Sequence, residues 1–115
     1  MSIQRFEIGP RMSRAVVHGG VVRTAGIVAD EAVPSVTEQT KQILATIDRL
    51  LAAAGSDKRK LLKANIWLAD IGGFAEMNAV WDAWVVAGHT PARATVESRL
   101  AGDYLVEIMI EAAVA

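Results

Sequence analysis

Hydrophobic and polar residues change their period several times along this chain, and each change marks an element. Val36, Gln39, Ile43, Leu44, Ile47, Leu50, Leu51 and Ala54 recur at helical spacing and fall on one face, with Gln39 the only polar interruption. This predicts a helix over Ser35 to Ala54. Ser35 followed by Glu38 has the form of a capping box, Pro34 precedes it, and Gly55 supplies a left-handed stop. A second helix is predicted over Phe74 to Val86, with Phe74, Met77, Trp81, Trp84 and Val85 as its buried set. Gly88-His89-Thr90-Pro91 ends it.

The remaining apolar runs read as strands. Ile3 to Ile8 is broken by Gly9-Pro10. Ala15 to His18 and Val21 to Ala25 flank Gly19-Gly20, two residues that accept positive φ in a tight hairpin. Gly26 to Pro34 reads as a loop. Leu61 to Ala69 alternates, placing Leu62, Ala64, Ile66 and Leu68 on one face and Lys63, Asn65 and Trp67 on the other. Ala92 to Arg99 and Tyr104 to Ala113 complete the order β-β-β-α-β-α-β-β. The expectation is one α+β domain over residues 1–115, with two helices on one face of a mixed sheet. The last run is so apolar that the other sheet face is expected to be covered too.

Composition narrows the function classes. Apolar residues make up 52% of 115 residues, a slight excess that points to cover by another subunit. The net charge of −1 and pI near 6.1 carry no electrostatic footprint for nucleic acid. Lys58-Arg59-Lys60 with Lys63 reads as a solvated cluster. No cysteine is present, which excludes a disulfide scaffold, a thiolate metal site and a thiol nucleophile. His18 and His89 lack metal-ligand spacing, and neither a nucleophile elbow nor a glycine-rich phosphate loop occurs. The three tryptophans read as packing residues. With no secretory pattern and no apolar run near the ~18–20 residues of a membrane span, the expected setting is soluble and cytoplasmic.

Two residues then stand out. Arg93 heads one β-like run, and Glu107 lies inside the most apolar one, together with Glu111. A carboxylate among apolar neighbours is costly unless paired, and such placements are enriched at functional sites. If the two runs lie side by side, Arg93 and Glu107 converge on one small anionic molecule. The plainer readings are a surface ion pair for Arg93 and a subunit-contact ion pair for Glu107. Glu97 and Glu111 read as exposed, and Asn78 reads equally as a solvent-facing helix residue.

Pro91-Ala92-Arg93 followed one strand later by Val106-Glu107-Ile108 resembles the Rid family, the YjgF-like reactive intermediate deaminases that hydrolyse enamines and imines. The resemblance extends to Gly9-Pro10, Thr24-Ala25-Gly26, Ala54-Gly55, and Asp70 with Phe74 and Asn78. The Trp81-Asp82-Ala83-Trp84 helix is similar to a less studied branch. The resemblance implies a chorismate-mutase-like fold in which three subunits pack their sheets into a central barrel, with sites in clefts between neighbours. It implies that Arg93 clamps a substrate carboxylate, that Glu107 helps place the attacking water, and that the Thr95 backbone bonds the substrate nitrogen. Asn78 would lie near the site. Two positions depart from the better-known members: Arg11 stands where they carry tyrosine, and Ala25 where they carry serine. Both family side chains line the substrate pocket.

The activity so implied needs no cofactor and no metal. A 2-imino acid, such as 2-iminopropanoate formed from 2-aminoacrylate, is hydrolysed to a 2-keto acid and ammonia. Two rivals remain. One is a binding module that holds a small carboxylate without turnover. The other is a ribonuclease or translation inhibitor, against which the charge balance and the lack of a histidine pair both speak. Neither nucleic acid nor membrane is an expected partner.

Overall fold

The computed structural model describes residues 2–114. Its strands are β1 (Gln4–Ile8), β2 (Ser13–His18), β3 (Val21–Thr24), β4 (Leu61–Leu68), β5 (Ala92–Glu97) and β6 (Val106–Ala113). Its helices are α1 (Val36–Ala53) and α2 (Phe74–Trp84). The six strands form one sheet in the order β1-β2-β3-β6-β4-β5. Only β4 and β5 run parallel; the other neighbours are antiparallel. Both helices pack on one face, so the expected α+β architecture and element order are those observed.

Local chemistry sets the elements. Gly19 and Gly20 have φ of 61° and 78°, the left-handed pair that a two-residue hairpin of the right twist requires. The Ser35 side chain accepts from the Glu38 amide at 3.1 Å and starts α1. Behind that cap, Ile43, Ile47, Leu50 and Leu51 are fully buried against Val22, Ile66, Ile108 and Ile110 of the sheet. β1 is tied to α1 by Glu7, whose carboxylate pairs with Arg49 and sits 3.9 Å from Arg14. The hydrogen bond from Arg49 holds the Glu7 carboxyl below its ordinary range.

Gln39, the polar break in the α1 stripe, is also fully buried. Its amide donates to the Val33 carbonyl at 2.8 Å and the Asp103 carbonyl at 3.2 Å, and its oxygen accepts from the Leu105 amide at 2.8 Å. One side chain thus satisfies backbone groups of two separate loops, which is what permits a polar group in the core.

Four expectations need correction. Leu62 is 48% exposed, because the β4–β6 register shifts between Leu61 and Lys63 and Leu61 takes its place in the core. Phe74 is 41% exposed rather than buried, and α2 ends at Trp84, where Val85 turns to extended backbone. Residues 98–105 form a connection rather than strand ends, since the Leu105 amide bonds Gln39. The residues of β6 divide between the two faces of the sheet. Val106, Ile108, Ile110 and Ala112 face the helices. Alternation leaves Glu107, Met109 and Glu111 on the open face, where Glu111 pairs with Arg23 at 3.2 Å. Among the described residues no helix is long and apolar enough to cross a membrane.

Candidate functional site

Residues 74, 78 and 81 are spaced i, i+4 and i+7, so Phe74, Asn78 and Trp81 share one stripe of α2. That stripe faces β5, an edge strand of the sheet. Arg93 pairs in register with Ala64, a fully buried residue on the helix side, and its side chain therefore rises toward α2. The Arg93 Nη1 donates to Asn78 Oδ1 at 2.8 Å. Its Cζ lies 5.7 Å from the Phe74 ring centroid and 5.5 Å from that of Trp81. Trp81 in turn stacks at a tilt on Trp84, with centroids 5.3 Å apart.

The position of α2 over Arg93 is fixed from the far end of the same strand. Glu97 Oε1 accepts from the Ile71 amide at 3.0 Å, and Asp70 Oδ1 accepts from the Gly72 amide at 2.7 Å. Both bonds close the short turn that opens α2. Glu97 is exposed, as expected, and it also ties this turn to β5.

Among the described residues no carboxylate pairs with Arg93. A partly buried guanidinium held by a neutral amide and two aromatic faces keeps most of its five N–H donors uncommitted. Such a group has the donor geometry to accept a planar anion. Thr95 lies two residues on and on the same side. Its Oγ1 is buried without a hydrogen-bond partner.

Glu107 belongs to a second group of residues. It stands opposite Trp67 on β4, three residues from Ala64, and so points to the open face. Gly26 lies directly against it: a Cβ there would overlap Oε2 and come within 3.0 Å of Cδ. No hydrogen bond or ion pair engages the Glu107 carboxylate among the described residues. Ala25 adjoins it through Gly26 and donates its amide to the Arg14 carbonyl at 2.9 Å.

The sequence-predicted residues therefore divide. Arg93, Asn78 and Thr95 gather between β5 and α2; Glu107 and Ala25 gather on the open face. Arg11 lies exposed in the β1–β2 connection and joins neither group. The convergence of Arg93 and Glu107 does not occur within one chain, because β4 separates their strands and the two side chains take opposite faces. A concavity of about 970 Å³ beyond β5, lined by Pro34, Ala69, Glu97, Arg99 and Tyr104, contains neither of them. The sequence reads Phe74 as core and Trp81 as a packing residue; Trp81 is buried, and both rings also lie over Arg93. Their shared spacing with Asn78 was the available signal. Among the described residues no three His, Asp or Glu side chains cluster closely enough to hold a metal ion.

Comparison with known proteins finds one family along nearly the whole chain. The family described as Endoribonuclease L-PSP matches residues 3–114. The RutC family protein YoaB of Escherichia coli is 45% identical over 115 residues, covering 99% of this chain and 100% of that protein. A crystal structure of a YjgF family member from Neisseria meningitidis superposes with a TM-score of 0.97 at 50% identity, covering 100% of this chain and 97% of that one. A protein of the conserved Rid family from Yersinia pestis superposes with a TM-score of 0.87 at 32% identity, covering 93% and 90%.

Proposed function

The chain belongs to the Endoribonuclease L-PSP family, which takes in the YjgF, RutC and Rid proteins, and from that premise we propose that it is a cofactor-free, cytoplasmic hydrolytic deaminase of reactive 2-imino acids. The observation that carries this reading is Arg93, a partly buried cation with no carboxylate partner among the described residues. Its free edge suits a planar carboxylate, which takes two parallel hydrogen bonds from a guanidinium.

In the proposed reaction Arg93 fixes the carboxylate of a substrate such as 2-iminopropanoate. Water adds to the C=N carbon, with Glu107 orienting it and taking its proton. The proton passes to nitrogen to give the carbinolamine; its hydroxyl proton then moves to the amine nitrogen, the C–N bond breaks, and ammonia leaves as the C=O bond of the 2-keto acid forms. Holding water and imine in contact supplies most of the gain. Because Arg93 and Glu107 occupy opposite faces of one chain, the reading needs a second copy to bring its Glu107 to this Arg93. We assign the assembly as a homotrimer, as the family resemblance implies, with the open β5 edge of each sheet next to a neighbour.

A binding module without turnover is the second reading. It is favoured by the same separation of Arg93 from Glu107, since the carboxylate receptor is complete in one chain and the water-orienting group is not. RNA cleavage is not proposed: the net charge of −1 and the lack of a histidine pair speak against it.

An amino acid lyase that generates 2-imino acids in place, with timed release of the keto acid, tests the assignment. Release faster than the spontaneous rate supports the deaminase. Release at the spontaneous rate, with keto acid still bound, leaves the binding module.

A further inference from the structure

Phe74 poses a problem that core packing does not solve. It is a large aromatic residue, 41% exposed, at the first position of α2. Its ring lies 5.7 Å from the Arg93 Cζ, while Trp81, two turns along the same stripe, lies 5.5 Å from it. Trp81 is buried and stacked on Trp84, so packing alone accounts for its position. Packing does not account for Phe74, but Arg93 does.

A long arginine side chain on an edge strand, with no counter-ion, is free to swing through several rotamers. Three contacts remove that freedom here. Asn78 takes one Nη1 donor and fixes rotation about the terminal bond. The two rings attract the cation through their π faces and shed water from the guanidinium. What they leave uncovered is the donor edge of Nε and Nη2, for which no partner exists among the described residues.

We propose that Phe74 and Trp81 are positioning residues, which hold the Arg93 guanidinium in one plane so that its free edge meets an incoming carboxylate without reorganisation. This rests on the reading of Arg93 as the carboxylate receptor and adds two residues to it. Binding to a group already in place loses less entropy, so the rings contribute to affinity without touching the reacting carbon. Their effect falls on ground state and transition state alike, and therefore on KM rather than kcat.

The test uses the purified full-length protein and 2-oxobutanoate as probe, with Phe74→Leu, Phe74→Tyr and Trp81→Phe. Phe74→Leu keeps an apolar side chain and an unchanged melting temperature, yet weakens 2-oxobutanoate binding by about threefold to tenfold. KM rises in step while kcat stays within about twofold. Phe74→Tyr restores wild-type affinity, and Trp81→Phe, which keeps a ring, loses less than Phe74→Leu. Wild-type affinity in Phe74→Leu overturns the proposal, as does a loss that Phe74→Tyr fails to rescue. If the wild-type protein binds no 2-oxo acid, the carboxylate reading itself fails. The positioning claim is then decided by solvent exchange of the Arg93 Nε–H: faster exchange in Phe74→Leu supports it, and an unchanged rate overturns it.

Discussion

Arg93 and Glu107 stand on opposite faces of the same sheet, with β4 between their strands. Neither has an ion-pair partner among the described residues. Unpaired charges on an edge strand and on an open face are intelligible if each meets its partner only when something else arrives: an anion for Arg93, and water or a second chain for Glu107.

The first prediction concerns Arg93. Arg93→Ala removes the receptor and is expected to cost roughly 2–5 kcal/mol of carboxylate binding, with turnover falling in proportion. Arg93→Lys is also expected to perform poorly, because an ammonium cannot present two parallel donors. Keto acid titration and the lyase-coupled assay measure both. Wild-type turnover in a folded Arg93→Ala protein would remove the central claim.

Gly26 offers a way to disturb Glu107 without changing it. A methyl group at position 26 meets only the flexible end of the Glu107 side chain, and Gly26 does not have positive φ. Gly26→Ala is therefore expected to cost less than about 1 kcal/mol of stability, by forcing a rotamer change in a half-buried carboxylate. Turnover is expected to fall while keto acid affinity holds. Equal losses in stability and turnover would indicate backbone damage instead.

Gln39 carries the clearest stability prediction. Gln39→Leu keeps a buried side chain of similar size but strands the Val33 and Asp103 carbonyls and the Leu105 amide. At about 0.5–1.5 kcal/mol per lost bond, the variant is expected to be roughly 2–4 kcal/mol less stable by denaturant unfolding. Gln39→Glu is worse at neutral pH, since it turns an acceptor toward two carbonyls. Its folded-state carboxyl is raised, because only the protonated form can donate. The folded state then binds more protons than the unfolded one, so stability recovers as pH falls and is lost as pH rises. A Gln39→Glu protein least stable at acid pH would contradict this.

Much of this molecule is legible in its residues. Both helices, all six strands and the family follow from periodicity, Gly-Gly and Ser-x-x-Glu signals, and the Pro91-Ala92-Arg93 and Val106-Glu107-Ile108 motifs. What escapes is whatever a neighbour decides. Leu62 belongs to the core by alternation, and a bulge moves it out. Gln39 reads as an interruption, because its three partners lie in loops that sequence cannot bring together. Arg93 and Glu107 read as convergent because their strands are consecutive in the chain, yet β4 inserts between them in space. Phe74 reads as core by helical spacing. Its place against Arg93 is visible only once β5 and α2 are brought together.

The separation of Arg93 and Glu107 also supplies the sharpest test of how a site is assembled. If each site takes Arg93 from one chain and Glu107 from the next, then Arg93→Ala and Glu107→Gln homo-oligomers are both inactive, for different reasons. The first loses the carboxylate. The second keeps it, so its keto acid affinity stays near wild type while the chemical step slows. Coexpressing the two chains changes the outcome. Some interfaces then pair an intact Arg93 from a Glu107→Gln chain with an intact Glu107 from an Arg93→Ala chain. In a random equal mixture about a quarter of sites in a ring of like subunits are of this kind, and a matching share of wild-type turnover is expected. Native mass spectrometry of the same sample verifies that mixed oligomers have formed. Recovery is impossible if both residues must act within one chain. Mixed oligomers without recovered activity would therefore break the shared-site reading, and a clean mass of 12.3 kDa in solution would break it sooner, since a monomer cannot bring these two side chains to one substrate.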